Sequence, residues 1–392
     1  MLEAVRIAPD VYWVGAIDWN ERNFHGYTTE RGTTYNAYLI MDEHVTLVDS
    51  CKAPFVDDLV QRVASVVDPL RIEYLIANHG EMDHSGALPR LRELAPNAKI
   101  VCSAPQGQKS LEAFYGDLGF TGVKTGEALC IGKRTLKFVQ VPMVHWPDSM
   151  VTYSAYDRIL FSNDAFGQHL ASSERFDDEA GFHQVMYQAQ KYYANIVMPY
   201  GRQVRAALDA LAGLDASMIA PAHGVVWRSH VADILKAYGQ WSRNVSRQEA
   251  LVVYDSMWGT TEAMAKQICE TFVELGIPAK LLDLKANHIS DIMADVLTSR
   301  YLAVGSPTLN SSMMPTVASF LCYLGGLAPK ERVGLAFGSY GWAPLGPKKV
   351  DAALREASFL MPDGPFARQW TEDETGLSDL RDQVAAYIES QR

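Results

Sequence analysis

Over the first 220 positions the apolar residues come in short runs broken by polar turns. Residues 11–14 (Val-Tyr-Trp-Val), 33–40 (Thr-Thr-Tyr-Asn-Ala-Tyr-Leu-Ile) and 45–49 are rich in β-branched and aromatic types and read as strands. Helical spacing takes over at 55–66, the run 72–77 reads as a buried strand, and strands and helices alternate through Ala220. This pattern predicts an α/β sandwich with its polar clusters in loops that follow strands. The polar stretch 241–248 (Trp-Ser-Arg-Asn-Val-Ser-Arg-Gln) after the helical 231–238 predicts a linker. The pattern then restarts: strands at 250–254, 279–284, 301–305 and 332–337 alternate with helices at 261–275, 315–324 and 348–360, with Gly325-Gly326 read as a helix stop. That rhythm predicts a doubly wound parallel sheet whose ligands bind at the carboxyl ends of its strands. The expected domains are therefore 1–248 and 249–392.

Composition narrows the function classes. A chain of 392 residues with 48% hydrophobic and 21% charged residues is ordinary for a soluble protein of about two domains. No apolar run approaches the roughly 18 residues needed to span a bilayer. The first thirty residues lack the basic start and apolar middle of a secretory signal, so a cytoplasmic location is expected. A formal net charge of −11 disfavours nucleic acid, whose binding rewards clustered Lys and Arg. The five cysteines are widely spaced without a Cys-x-x-Cys pair, which argues against a disulfide framework, a zinc ribbon or a rubredoxin-type module; most are expected to be small buried hydrophobes.

The candidate chemistry of the first part lies at strand ends. His79, Glu81, Asp83 and His84 fall within six residues directly after the run 72–77, while His145, Asp164 and His223 follow other apolar runs. His79, Glu81 and Asp83 alternate, so an extended loop aims them together, and His84 adds a ligand for a second ion. Imidazole with carboxylate suits iron, zinc or manganese. A lone strand-end histidine is commonly a satisfied polar residue, as expected for His44, His183, His230 and His288, but seven such groups uncompensated inside a fold would be costly. His25 and Tyr193 are candidates for lining a pocket or carrying protons.

The second part offers three loops at one sheet edge. Ser256-Met257-Trp258-Gly259-Thr260-Thr261 leads into a helix, where hydroxyls and backbone N–H groups make an anion site without Lys or Arg. Ser306-Pro307-Thr308-Leu309-Asn310 and Ser339-Tyr340-Gly341-Trp342 follow later strands, with glycine permitting close approach and aromatic rings available to stack on a planar ligand.

Taken together these motifs resemble a known family. His79-x-Glu81-x-Asp83-His84 with the distant His145, Asp164 and His223 is similar to the metal motif of the metallo-β-lactamase superfamily, with Glu81 where hydrolases carry histidine. That replacement, and the Ser-x-x-Gly-Thr-Thr loop after it, resemble the flavodiiron proteins over essentially the whole chain. The resemblance implies a metallo-β-lactamase-like αββα sandwich followed by a flavodoxin-like domain that binds FMN. It implies one iron on His79, Glu81 and His145, another on Asp83, His84 and His223, and Asp164 bridging them. In some members the residue at the place of His84 turns away from the iron, so its ligation stays open. The implied activity is reduction of dioxygen to water with electrons relayed through FMN from rubredoxin or a similar donor, or of nitric oxide to nitrous oxide. A dizinc hydrolase and a non-enzymatic flavin electron carrier are the competing readings. The implied assembly is a head-to-tail homodimer or a dimer of dimers, without nucleic-acid or membrane partners.

Overall fold

The computed structural model describes residues 2–371 and 373–392. The chain divides into two compact units, Met1–Tyr192 with Tyr200–Ser242, and Tyr193–Pro199 with Arg243–Arg392.

Among the described residues, the first unit holds two large sheets. One runs in the order Val5–Ala8, Val11–Trp13, Tyr38–Ile40, Thr46–Val48, Tyr74–Ala77, Lys99–Ser103 and Phe120–Val123, antiparallel at its start and parallel from Thr46–Val48 onward. The other runs Ala128–Cys130, Thr135–Gln140, Met150–Ser154, Ile159–Asn163 and Met218–Pro221, with only its last pair parallel. Alternation along the strands explains the layering, since successive side chains face opposite ways. Tyr38, Ile40, Val48, Ile76 and Val101 pack with Leu136, Phe138, Met150 and Phe161 between the sheets. Leu39, Leu47, Leu75 and Ile100 face the other way, toward Leu59, Leu88 and Leu111 of the covering helices. The αββα architecture expected from the sequence is present.

The second unit is one sheet of five parallel strands in the order Ala279–Asp283, Arg247–Tyr254, Ser299–Gly305, Val333–Tyr340, Phe366–Gln369, counted among the described residues. Helices Thr260–Glu274 and Glu374–Ser390 share a core with it through Met264, Ile268, Phe272, Leu380 and Val384. This is the doubly wound order in which a ligand crevice opens outside the strand ends.

Several local expectations differ from the structure. The run 33–40 is broken into Thr33–Tyr35 and Tyr38–Ile40, which belong to different sheets. Asn36 makes the break: its N–H donates to the Ala222 carbonyl at 2.8 Å and its amide to the Pro221 and Gly224 carbonyls at 2.8 and 3.0 Å. Gly325-Gly326 does not stop its helix, which runs Pro315–Leu327; the left-handed cap is Ala328, whose N–H donates to the Leu324 carbonyl just before Pro329. Part of the stretch read as a linker is already strand, because Arg247 donates to Thr298 at the entrance of the sheet. Two of the cysteines, Cys51 and Cys102, are buried, while Cys130 and Cys322 are exposed.

Arg134 holds the turns of the two large sheets together. Its side chain is 2% exposed and reaches Asp42, Asp157 and the Pro9 carbonyl at 2.8–3.1 Å. Arg134→Met strands two buried carboxylates and should lower stability by about 3–5 kcal/mol. A urea titration followed by tryptophan fluorescence checks this, and an unmoved midpoint would refute it.

Candidate metal centre and flavin cleft

The strand Tyr74–Ala77 delivers His79 and Glu81, and the short helix Met82–Ser85 then presents Asp83 and His84. Asp164 and His223 come from the ends of Ile159–Asn163 and Met218–Pro221, neighbouring parallel strands that end at the same edge. His145 lies in the turn before Met150–Ser154. Met150 N donates to the Asn78 carbonyl at 2.9 Å, which joins the two sheets beside the cluster.

These seven side chains form two donor groups, His79, Glu81, His145 and Asp164, and Asp83, His84 and His223. Asp164 faces both. Its Oδ2 lies 3.5 Å from His79 Nε2 and 3.3 Å from His145 Nε2, and its Oδ1 lies 2.9 Å from His84 Nε2 and 3.7 Å from His223 Nε2. Glu81 Oε2 is 3.3 and 3.4 Å from His79 and His145, and Asp83 Oδ2 is 3.3 and 3.1 Å from His84 and His223. Donors about 2.1 Å from one ion at right angles stand about 3 Å apart, so these spacings fit ligands around two common centres. His84 faces the cluster.

Electrostatics and hydrogen bonding agree with that fit. Both oxygens of Asp83, Asp164 Oδ2 and His84 Nε2 are buried without a hydrogen-bond partner among the described residues. Such orphaned atoms aimed at one another call for cations. Burial alone would raise the carboxyls of Asp83 and Asp164, but the charge of His84 and its neighbours holds both below the usual range. Burial would likewise lower His84, yet the Asp83 and Asp164 charges push it up to about 9. His79 behaves the same way: burial opposes its charge, and the bonds to Asp148 and Glu81 outweigh it, leaving it well above the imidazole range. In the metal-free chain, protons on imidazole therefore do the neutralising that metal ions would do.

Residues behind the donors orient them. Asp148 accepts from His79 Nδ1 at 3.1 Å and from Gly80 N at 2.7 Å, so His79 turns Nε2 inward. His223 Nδ1 donates to the Thr34 carbonyl at 2.7 Å with the same effect. His84 differs, since its Nδ1 has no hydrogen-bond partner among the described residues. The Tyr192 hydroxyl donates to Asp164 Oδ1 at 3.0 Å. Tyr193, singled out from the sequence, is fully buried in the turn Tyr193–Val197, and it is its neighbour whose hydroxyl meets the cluster. His25 sits at the tip of the hairpin formed by Asn23–Phe24 and Tyr27–Thr28, where φ is positive at both His25 (55°) and Gly26 (84°). Its Nε2 is 3.4 Å from Glu81 Oε1, and it lines a cavity of about 400 Å3 that opens on Glu81 and Asp83. His44, His230 and His288 are engaged elsewhere, with Glu73, Asp233 and Ser290. His169, which no sequence pattern singles out, is buried with its ring 4.7 Å from that of His223 and its Nδ1 2.8 Å from Thr33 Oγ1.

In the second unit a cleft of about 280 Å3 opens at the carboxyl ends of the strands. Nine of the fifteen residues expected to touch a flavin line it; Ser256, Gly259, Thr261, Ser306, Leu309 and Asn310 do not. Most of these others shape the loops. Ser256 Oγ accepts from Gly259 N at 3.1 Å, Ser306 Oγ from Met314 N at 2.9 Å, and Thr261 Oγ1 meets Ser339 Oγ at 2.9 Å. Gly338 is required where it stands, because a Cβ there would lie 1.9 Å from the Ser306 carbonyl oxygen. The helix Thr260–Glu274 starts at Gly259 (φ 93°), so its first N–H groups face the loop without a competing side-chain cap. An anion at that helix end with a flat ring against Tyr340 and Trp342 matches the shape and chemistry of FMN.

A two-metal site on an αββα sandwich with a flavin cleft on a doubly wound sheet defines a flavin- and metal-dependent oxidoreductase. Comparison with known proteins agrees. The model of the ODP family beta lactamase matches residues 33–224 and that of flavodoxin matches 252–383. The nitric oxide reductase of Moorella thermoacetica is 41% identical over 99% of this chain and 100% of its own length. The rubredoxin-oxygen oxidoreductase of Megalodesulfovibrio gigas is 43% identical over 93% of this chain and 92% of its own. Among solved structures, rubredoxin oxygen:oxidoreductase from Desulfovibrio gigas superimposes with a TM-score of 0.95 at 41% identity, covering 99% of both chains. The flavodiiron protein of Giardia intestinalis gives 0.95 at 36% identity over 100% of this chain and 98% of that one. The chain belongs to the flavodiiron protein family, whose cofactors are a non-haem diiron centre and FMN.

Asp148→Ala should weaken ferrous-iron binding by about 10–100-fold, the usual effect of removing the group that orients a ligating histidine; metal titration of the two chains checks it. Because His84 has a raised pKa, the metal-free chain keeps that proton below about pH 9, and an incoming ion has to displace it. Apparent iron affinity should therefore climb as pH rises from 7 toward 9, and calorimetry in buffers of different ionisation enthalpy should register proton release at pH 7.

Proposed function

We propose that the chain reduces dioxygen to water, using electrons that reach FMN from rubredoxin or a similar small redox protein in the cytoplasm. The observation that carries this reading is Asp164, with one oxygen toward each donor group, in a cluster whose Glu81 and Asp83 line a cavity together with Phe24, Met82, Phe114 and Trp146. Among the described residues no helix is long and apolar enough to cross a membrane. His79, Glu81 and His145 would hold one iron, Asp83, His84 and His223 the other, and Asp164 would bridge. Bound in these sites, the irons and FMN supply the redox chemistry, one electron from each iron and two from the reduced flavin.

The protein's own groups supply access and protons. Aromatic and thioether walls admit a small apolar gas more readily than an ion, while Lys52 and Glu21 of the lining, 3.2 Å apart, neutralise each other. The His25 side chain is 75% exposed and its Nε2 lies beside Glu81, which makes it a route for protons from solvent to the cavity. The Tyr192 Oη–H steadies Asp164 from the opposite side. We place the working unit as a head-to-tail homodimer, in which the flavin of one copy serves the irons of the other across a two-fold axis, or as a pair of such dimers.

Nitric oxide reduction is the second reading, favoured by the full-length match to a relative named nitric oxide reductase. Steady-state rates with each gas, measured side by side with a reduced donor, decide between them. The dioxygen rate should be the larger, and a larger nitric oxide rate would reverse the assignment. His79→Ala should abolish both activities with FMN retained; survival of either would detach it from the metal centre.

A further inference from the structure

The flavin cleft has a wall that the three loops do not supply. We infer that Trp370 is a further flavin-contact residue, completing with Tyr340 and Trp342 the aromatic side of the cleft. This rests on the reading of the cleft as the FMN site.

Trp370 directly follows the edge strand Phe366–Gln369, which pairs in parallel with Val333–Tyr340, so that Gln369 stands opposite Tyr340. Its side chain is brought to the cleft rather than carried past it by a positive φ of 62°, a conformation that residues other than glycine rarely adopt. Its backbone holds two of the flavin loops. Trp370 N donates to the Tyr340 carbonyl at 2.8 Å, and its carbonyl accepts from Thr260 Oγ1 at 3.1 Å, at the start of the helix that faces the phosphate position.

The indole itself lines the cleft. Its centroid is 6.2 Å from that of Trp342 at 59°, within the range of favourable tilted aromatic pairs. It also lies over Gly341 so closely that a Cβ there would be 2.9 Å from its ring. Glycine at 341 and tryptophan at 370 are therefore fitted to each other. With 61% of its surface open, the indole retains a face for a planar ligand, and the ligand class is a fused aromatic ring system such as isoalloxazine.

Binding of FMN and of riboflavin to the flavin-stripped full chain, followed by flavin fluorescence, tests this for the wild type, Trp370→Ala and Trp370→Phe. Stacking of a base on an aromatic side chain sets the scale, so Trp370→Ala should raise both dissociation constants by about 10–100-fold and by similar factors, since the contact is with the ring. Trp370→Phe should stay within about 3-fold of wild type, and circular dichroism melts of the stripped chains confirm folding. Unchanged constants in Trp370→Ala, beside a weakened Trp342→Ala control, overturn the inference while leaving the flavin site standing. A wild-type chain that takes up no FMN overturns the flavin reading and this inference together.

Discussion

Three carboxylates converge inside one unit of this protein, within reach of four imidazoles and largely buried. Like charges so close in a medium of low polarisability repel strongly unless a cation stands between them. Most features of the N-terminal unit answer that constraint. Parallel pairing brings Asp164 and His223 to the same edge, Asp148 and the Thr34 carbonyl turn two imidazoles inward, and Tyr192 takes up part of the hydrogen-bonding capacity of Asp164. Without metal the same balance is kept by protons on histidine.

The two units solve different recognition problems. Metal ions need a few fixed atoms, which strand ends and a rigid sandwich deliver. A flavin needs a long, flat crevice and an anion seat. The doubly wound sheet provides both at one edge, since its loops and the start of its first helix emerge together. Glycines at 338 and 341 let backbone and indole approach more closely than any side chain would allow.

Much of this was legible in the amino-acid order. Residues 79–84 could be read because a buried strand and a change of residue type coincide in a few positions, but the extended loop expected there gives way to the short helix Met82–Ser85, which sends Asp83 to the other donor group. The strand-end placement of His145, Asp164 and His223 was visible for the same reason. Other features lie below the resolution of pattern. Tyr192 ends a helix and Tyr193 begins a differently wound turn, so adjacent identical residues acquire different surroundings that periodicity cannot separate. His169 stands in a loop with no apolar run before it, and only folding brings it to His223. Trp370 was missed because the Pro- and Gly-bearing stretch before it masks the short edge strand that positions it. Asn36 sits in an unbroken strand-like run, and its long-range bonds to 221–224 override the local propensity.

Arg134 acquires a further meaning from its position. The turns it joins, at Asp42 and Asp157, precede the strands Thr46–Val48 and Ile159–Asn163, whereas the metal donors follow the ends of these or neighbouring strands. The sandwich thus has a permanent clasp at one end and a removable one at the other. With the ions gone the far end stays buckled by Arg134 and the Met150–Asn78 hydrogen bond still ties the sheets beside the donors, so an emptied chain remains a jaw already aligned to close on its ions again.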